Sequence, residues 1–82
     1  MRYGWDEVPN DGEVREAVAR SLRDDGFVDA DVIQVEVKDR VVTLRGEVQD
    51  YMEARYAWDD AWDAPGVRGV ISKLTVRVKT EE

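Results

Sequence analysis

The 82-residue sequence contains no cysteine and no histidine. Without cysteine there is no disulfide, no thiolate nucleophile and no thiolate-ligated metal. Without histidine the chain lacks the commonest general base and the commonest metal ligand of proteins. These absences argue against most enzyme classes, and they leave the redox compartment open. We therefore expect no catalytic residue, no metal site and no cofactor.

Long apolar runs are also missing from the sequence. No stretch approaches the ~20 apolar residues that a membrane-spanning helix needs. The first residues lack the apolar segment that is typical of a secretory leader. If Met1 is the native start, we expect a cytoplasmic protein. If a leader has been removed, we expect a periplasmic or envelope location.

The chain is acidic, with 19 Asp and Glu against 12 Lys and Arg and a net charge of −7. Proteins that bind duplex nucleic acid usually carry the opposite sign, because phosphate neutralisation dominates their affinity. The segment Gly66-Val67-Arg68-Gly69 has the glycine spacing of KH-type RNA modules. In those modules the loop joins two helices, whereas here it precedes a predicted strand. We therefore expect no nucleic-acid partner. Anionic lipid is also repelled on average, unless a local basic patch overrules the average.

The length allows one domain. Residues 1–10 show no apolar period and predict a flexible arm, residues 11–79 a single domain, and residues 80–82 a polar tail.

A first helix is predicted over residues 11–25. Asn10 is a favourable N-cap, and Glu13 completes a capping box three residues later. Gly26 is expected to end the helix as a glycine at C′ does. Apolar or small residues recur at helical spacing and predict one buried face: Val14, Ala17, Val18, Ser21 and Leu22.

A second helix is predicted over residues 51–64. Asp50 and Glu53 repeat the spacing of a capping box, and Pro65-Gly66 stops the helix. The predicted inner stripe consists of Ala54, Ala57, Trp58 and Ala61. We expect the alanines to allow a close approach to a sheet and Trp58 to fill core volume.

Three segments alternate apolar and polar residues as strands with one wet face do: 33–38, 41–48 and 70–78. The element order predicts an α+β fold, α-β-β-α-β, in which a three-stranded mixed sheet carries both helices on one face. A right-handed crossover should place the last strand parallel to the second. Gly46 interrupts good strand formers and predicts a bulge or a close backbone approach.

This order and its residue pattern resemble the BON domain, a module of bacterial osmotic-shock and nodulation-type proteins. The similarity extends over about residues 12–78 and is clearest at Val42-Thr43-Leu44-x-Gly46-x-Val48. It continues with Glu53, Arg55, Ala57, Ala61, Gly66-Val67-x-x-Val70 and Leu74-x-Val76. The resemblance implies a non-enzymatic, stress-related module that attaches proteins to phospholipid membranes or other envelope components.

The sequence departs from that pattern at the hairpin turn. Asp39-Arg40 stands where the family usually carries a glycine. A non-glycine residue in a left-handed conformation costs about 1 kcal/mol. That cost favours a turn longer than two residues.

Six side chains are candidate surface contacts: Lys38, Arg45, Met52, Tyr56, Lys73 and Arg77. The basic ones are predicted on the outer sheet face, where Lys79 is a further candidate, as a positive patch broken by Glu36 and Glu47. Ordinary cross-strand charge pairing is the alternative reading. Met52 and Tyr56 lie four residues apart and are predicted to point away from the alanine stripe, where an exposed apolar pair can contact a membrane or a partner. Structural roles are assigned to Gly46, Trp58 and Gly66.

Two functions remain open at this point. The first is attachment to phospholipid or to an envelope component. The second is protein–protein interaction or self-association, through a free sheet edge or an exposed helix face.

Asp59 and Asp63 are spaced to share a hard cation, but one helix face supplies too few oxygen ligands, so a solvated acidic face is expected there.

Overall fold

The computed structural model describes residues 9–77. Most of the predicted arm (residues 1–8), together with Val78, Lys79 and the predicted tail, lies outside the described residues. Within them the elements are α1 Asp11–Asp24, a 3₁₀ turn Ala30–Val32, β1 Ile33–Lys38, β2 Val41–Val48, α2 Tyr51–Trp62 and β3 Gly69–Val76. The predicted order and the α+β class are confirmed.

Helix α1 begins as its sequence predicts. Asn10 Oδ1 accepts the Glu13 N–H at 2.8 Å, and Glu13 Oε1 accepts the Asn10 N–H at 3.0 Å, which completes the capping box. Gly26 follows the C-cap and so stands at C′, as predicted, but it lacks the positive φ of a glycine that ends a helix in the left-handed conformation. Helix α1 ends at Asp24, one residue earlier than predicted. Asp25 is its C-cap in an extended conformation, and the Asp25 carboxylate accepts the Phe27 N–H at 2.9 Å.

Helix α2 is shorter than predicted and ends at Trp62. Pro65 disfavours a helical conformation at Ala64, and Gly66 then turns the chain at φ 88°. The predicted capping box is half formed. Asp50 Oδ1 accepts the Glu53 N–H at 2.9 Å, but the Glu53 carboxylate is bound elsewhere.

The sheet has the strand order β1-β2-β3. Strand β1 is antiparallel to β2, with Val35 opposite Leu44, and β3 is parallel to β2, with Ser72 opposite Leu44. The predicted parallel pairing of the last strand is confirmed. Both outer strands leave one edge free of strand partners within the described residues.

The β1–β2 turn consists of only two residues, so the expectation of a longer turn is wrong. Asp39 and Arg40 have φ values of 53° and 64°, as a type I′ turn requires. Asp11 holds this turn, because its carboxylate accepts the Asp39 and Arg40 N–H groups, each at 2.9 Å. Those two hydrogen bonds offset a backbone strain of about 1–2 kcal/mol per non-glycine residue.

The core lies between the two helices and the inner face of the sheet. Its most buried side chains come from both helices and from β2: Val14, Val18, Leu22, Val42, Leu44, Val48, Ala57 and Ala61. The prediction that Trp58 fills this core needs correction. The α2 side chains that are fully buried beneath the helix are Ala57 and Ala61, not Trp58. Trp58 is half-buried and packs edge-on against Trp62, with ring centroids 5.9 Å apart.

Two glycines are required by the backbone. Gly46 has φ 138°, and an added Cβ would overlap the Val32 carbonyl oxygen. This is the close backbone approach that the sequence predicted at Gly46. At Gly66 an added Cβ would lie 3.0 Å from Pro9 Cγ, so this glycine also allows the start of the described chain to pack against the α2–β3 loop.

Candidate functional site: the outer face of the sheet

The outer face of the sheet is the side that the helices do not cover. Strand alternation places these side chains on it: Gln34, Glu36, Lys38, Val41, Thr43, Arg45, Glu47, Ile71, Lys73 and Thr75. Most of them are exposed. Charge is distributed unevenly between this side and the rest of the domain. Residues 33–48 and 68–77 contain six basic and three acidic residues, whereas the other described residues contain four basic and twelve acidic ones.

Two predicted contact residues meet at the centre of this face. Arg45 on β2 lies directly beside Lys73 on β3 in the register. Arg45 Nε also lies 3.3 Å from Glu36 Oε1 on β1, in an exposed salt bridge. The alternative of cross-strand pairing therefore holds for Arg45. Lys73 makes no salt bridge with another residue of the described segment, and like charges side by side on neighbouring strands are unfavourable.

The hairpin end of the face brings together two arginines that the sequence reasoning overlooked. Arg40 precedes β2 and Arg68 precedes β3, and the Arg68 N–H donates to the Arg40 carbonyl oxygen at 2.9 Å. Together with Lys38 they line a shallow depression of about 570 Å³, whose other lining residues are Asp39, Val41, Thr43 and Ile71. The predicted parallel pairing already implied this proximity, because parallel strands begin at the same edge of a sheet.

Arg77 does not join this group of cations. It follows β3, and its N–H donates to the Val48 carbonyl oxygen at 2.8 Å. Its side chain lines a second depression together with Asp29, Val32, Glu47, Gln49, Asp50 and Glu53. The acidic residues there offset the charge of Arg77, so the positive potential is concentrated at the hairpin end and the centre of the face.

The predicted exposed pair on α2 is only partly present. Met52 is 52% exposed, but Tyr56 is half-buried and packs against the core. The ring of Tyr56 lies 5.3 Å from that of Phe27, which is 74% exposed. The expectation that Tyr56 projects freely is therefore wrong, because the connector after α1 supplies an aromatic partner for it.

Glu53 is a buried carboxylate whose position the sequence did not reveal. Its side chain is 7% exposed and accepts two backbone N–H groups, those of Asp29 and Gln49, both at 2.7 Å. The carboxylate thus links α2 to the connector and to the end of β2. Its glutamate type at the third position of the helix was the only signal, and that signal predicted a local cap instead.

A carboxyl pair lies between the helix ends. Burial, followed by a hydrogen bond to Asp25, raises the pKa of Asp60 to about 7, and the charges of Asp63 and Asp59 act in the same direction. The same hydrogen bond lowers the pKa of Asp25. Asp60 Oδ2 is fully covered and has no partner among the described residues. Asp59 Oδ2 lies 3.6 Å from Arg55 Nε in an exposed salt bridge.

Two further features bear on the class of site. Among residues 9–77, no group of three or more acidic side chains is arranged to hold a metal ion. No helix in that part of the chain combines the length and the apolar character that crossing a bilayer requires.

Comparison with known proteins agrees with this architecture. A search of curated proteins gives no match. The family model of the BON domain matches residues 10–78, which spans both helices, the hairpin with Gly46 and the parallel last strand. That family consists of non-catalytic, binding-type domains. Since the match covers most of the chain and every element of the fold, this protein belongs to the BON domain family.

Proposed function

We propose that this BON domain attaches to anionic phospholipid surfaces through the outer face of its sheet. The observation that carries the proposal is the separation of charge between the two sides of the domain. Basic residues predominate on the uncovered strands, and acidic residues predominate on the helical side. Since the chain has a net charge of −7, it should approach an anionic surface in an orientation that presents such a patch.

The like-charged neighbours Arg45 and Lys73 support the proposal. Their repulsion costs stability in the free domain, and anionic headgroups would relieve it. The acidic helices lie on the far side of the sheet. A Debye length of about 8 Å at physiological ionic strength weakens their repulsion from the surface.

An apolar contribution comes from Ile71. It lies on β3 within the basic region and is 46% exposed. Apolar side chains among cations are typical of surfaces that bind at the headgroup level of a bilayer. The stress-related and envelope roles that the family resemblance implies belong to this same proposal.

Co-sedimentation with vesicles tests the proposal. We expect the protein to bind vesicles of phosphatidylcholine that contain phosphatidylglycerol more strongly than vesicles of phosphatidylcholine alone. Added salt should weaken the binding. Replacing Arg45 and Lys73 together by Gln should lower the affinity about twenty-five-fold, since each basic residue near an anionic surface contributes about five-fold.

Arg23→Gln is the matched control, because it removes one positive charge from the exposed last turn of α1 on the helical side. Its binding should stay within about two-fold of the parent protein. If the parent protein fails to bind either kind of vesicle at low salt, attachment to lipid is wrong for this chain. If Arg23→Gln weakens binding as much as the loss of Arg45 and Lys73, the assignment to the outer face is wrong.

Tryptophan emission can locate the bound face. Trp58 and Trp62 both lie on α2, away from the outer face of the sheet. In a Trp5→Phe background, the emission of these two residues should not change when vesicles bind. A shift to shorter wavelength would place the contact on α2 instead.

Self-association is a second candidate, favoured by the α2 side of the domain. Met52, Tyr56 and Phe27 form an apolar region beside the acidic residues Asp59 and Asp60. That combination is unsuited to anionic lipid but complements the basic outer face of a second copy. Sedimentation velocity over a range of protein and salt concentrations tests it. Salt-sensitive oligomers without affinity for vesicles would favour this candidate over lipid attachment.

A further inference from the structure

We propose that the depression at the hairpin end of the sheet is a binding site for a phosphate group, with Lys38, Arg40 and Arg68 as its cationic ligands. The inference rests on the proposed function, since a phospholipid headgroup is one source of the phosphate. A free phosphate ion is the other source. Both present the same chemistry to the three cations, and the experiment below distinguishes them.

The first argument is the assembly of the site from three separate places in the chain. Lys38 ends β1, Arg40 lies in the turn, and Arg68 comes from the loop between α2 and β3. The 2.9 Å hydrogen bond from the Arg68 N–H to the Arg40 carbonyl oxygen fixes the two arginine backbones beside each other. The fold thus brings three basic residues to one rim, so part of the cost of gathering their charges around an anion is already offset by folding.

The second argument is the strained conformation of Arg40. It has φ 64° in a turn position that glycine occupies without strain. The turn N–H groups are already satisfied by the Asp11 carboxylate, so the backbone needs nothing from an arginine side chain. A strained residue whose side chain is not required by the fold indicates a functional role. Here that side chain lines the depression.

The third argument is the composition of the lining. Asp39 is the single acidic residue of the lining, so the three basic residues give the depression a net positive charge. Thr43 supplies a hydroxyl group, which can donate to a phosphate oxygen. Val41 and Ile71 add an apolar part. A phosphate group attached to an apolar body matches this combination, since arginine binds phosphate oxygens in bidentate fashion.

Arg40→Gly is the decisive variant. Glycine removes the cation and relieves the strain of the turn, so the midpoint of urea unfolding should stay unchanged or rise. The affinity for vesicles that contain phosphatidylglycerol should fall about five-fold. Arg68→Gln should cause a similar loss, and Arg23→Gln serves as the control on the helical side. If Arg40 has no binding role, Arg40→Gly should raise the stability and leave the affinity for vesicles unchanged.

Titration with inorganic phosphate separates the two sources of phosphate. It is followed by amide chemical shifts at constant ionic strength. Shifts at Thr43, Arg68 and Ile71 that disappear in Arg40→Gly indicate that free phosphate occupies the site. If phosphate causes no shifts but Arg40→Gly still weakens vesicle binding, the lipid headgroup is the ligand. Either result supports the site.

The inference is overturned if neither inorganic phosphate nor vesicle binding responds to Arg40→Gly and Arg68→Gln. The proposed function fails separately. Suppose that replacing Arg45 and Lys73 abolishes vesicle binding, whereas the Arg40 and Arg68 variants bind normally. Attachment by the outer face would then be supported, and the phosphate site would be refuted. If the protein binds inorganic phosphate but not vesicles, the phosphate site would be supported and attachment to lipid would be refuted.

Discussion

Neighbouring residues of one strand lie on opposite faces of the sheet, and the two faces differ in burial and in charge. On β2, Val42 and Leu44 are fully buried under the helices, whereas Arg45 is exposed on the other side. The inner face therefore holds most of the buried apolar side chains, and the outer face carries unfavourable features: like charges on Arg45 and Lys73, although Glu36 pairs with Arg45, and beside them the strained Arg40. Residues that a fold tolerates at a cost are the better indicators of binding.

The largest effect expected from this comparison is at Leu44. Leu44→Ala should lower the free energy of unfolding by about 2–5 kcal/mol, because it leaves a cavity in a fully packed site. Ile71→Ala makes a similar truncation on the outer face, where the side chain is 46% exposed, and should cost about 1 kcal/mol or less. Urea unfolding measures both. Equal losses would break the comparison between the faces.

A smaller loss is expected at Glu53. Each of its carboxylate oxygens accepts one backbone N–H, at 2.7 Å. Glu53→Gln replaces one of those acceptors by an NH₂ group that faces another donor, which should cost about 1–3 kcal/mol. Glu16→Gln, at an exposed position of α1, is the control and should change stability by less than about 0.5 kcal/mol. An unchanged unfolding midpoint in Glu53→Gln would show that the buried carboxylate is not needed as an acceptor.

The last predicted effect is a pH dependence of stability at the carboxyl pair, whose size is reduced because solvent reaches part of Asp60. The pKa of Asp60 is raised from 3.8 to about 7 in the folded domain. Its stabilising contribution is therefore complete below about pH 4 and is lost as the pH rises through 7. Asp25, whose pKa is lowered, acts in the opposite direction but only at more acidic pH. The free energy of unfolding should therefore fall as the pH rises from about 5 to about 8.

Asp60→Asn tests the origin of that slope. The amide keeps the shape of the side chain and can still donate to the Asp25 carboxylate, but it does not titrate. Urea unfolding of the variant should show a flatter profile over the same pH range. A slope equal to that of the parent protein would assign the effect to other groups. The test also sharpens the comparison between the faces, because a protonated Asp60 makes the helical side less acidic.

The elements themselves were largely predictable from local pattern. Alternation defined the strands, and the Asn10–Glu13 capping box defined the start of α1. Three of the errors occurred where another segment of the chain supplied a partner. Asp11 stabilises a two-residue turn that was expected to be longer, Asp29 and Gln49 take the Glu53 carboxylate, and Phe27 covers Tyr56.

The candidate site was predictable in part. Lys38, Arg45 and Lys73 follow from strand alternation and lie on the outer face as expected. Arg40 and Arg68 lie in a turn and a loop, where no periodicity assigns a side chain to a face. Arg77 had the right alternation, yet acidic residues from the connector and the start of α2 surround it.

The sequence alone determined the fold class of this protein, a small α+β domain, and the absence of cysteine and histidine. It could do so because hydrophobic period and residue chemistry are local properties of the chain. Only the tertiary structure decided which charges become neighbours, since the parallel pairing of β2 with β3 joins segments far apart in the sequence. The basic rim at Lys38, Arg40 and Arg68 exists for that reason.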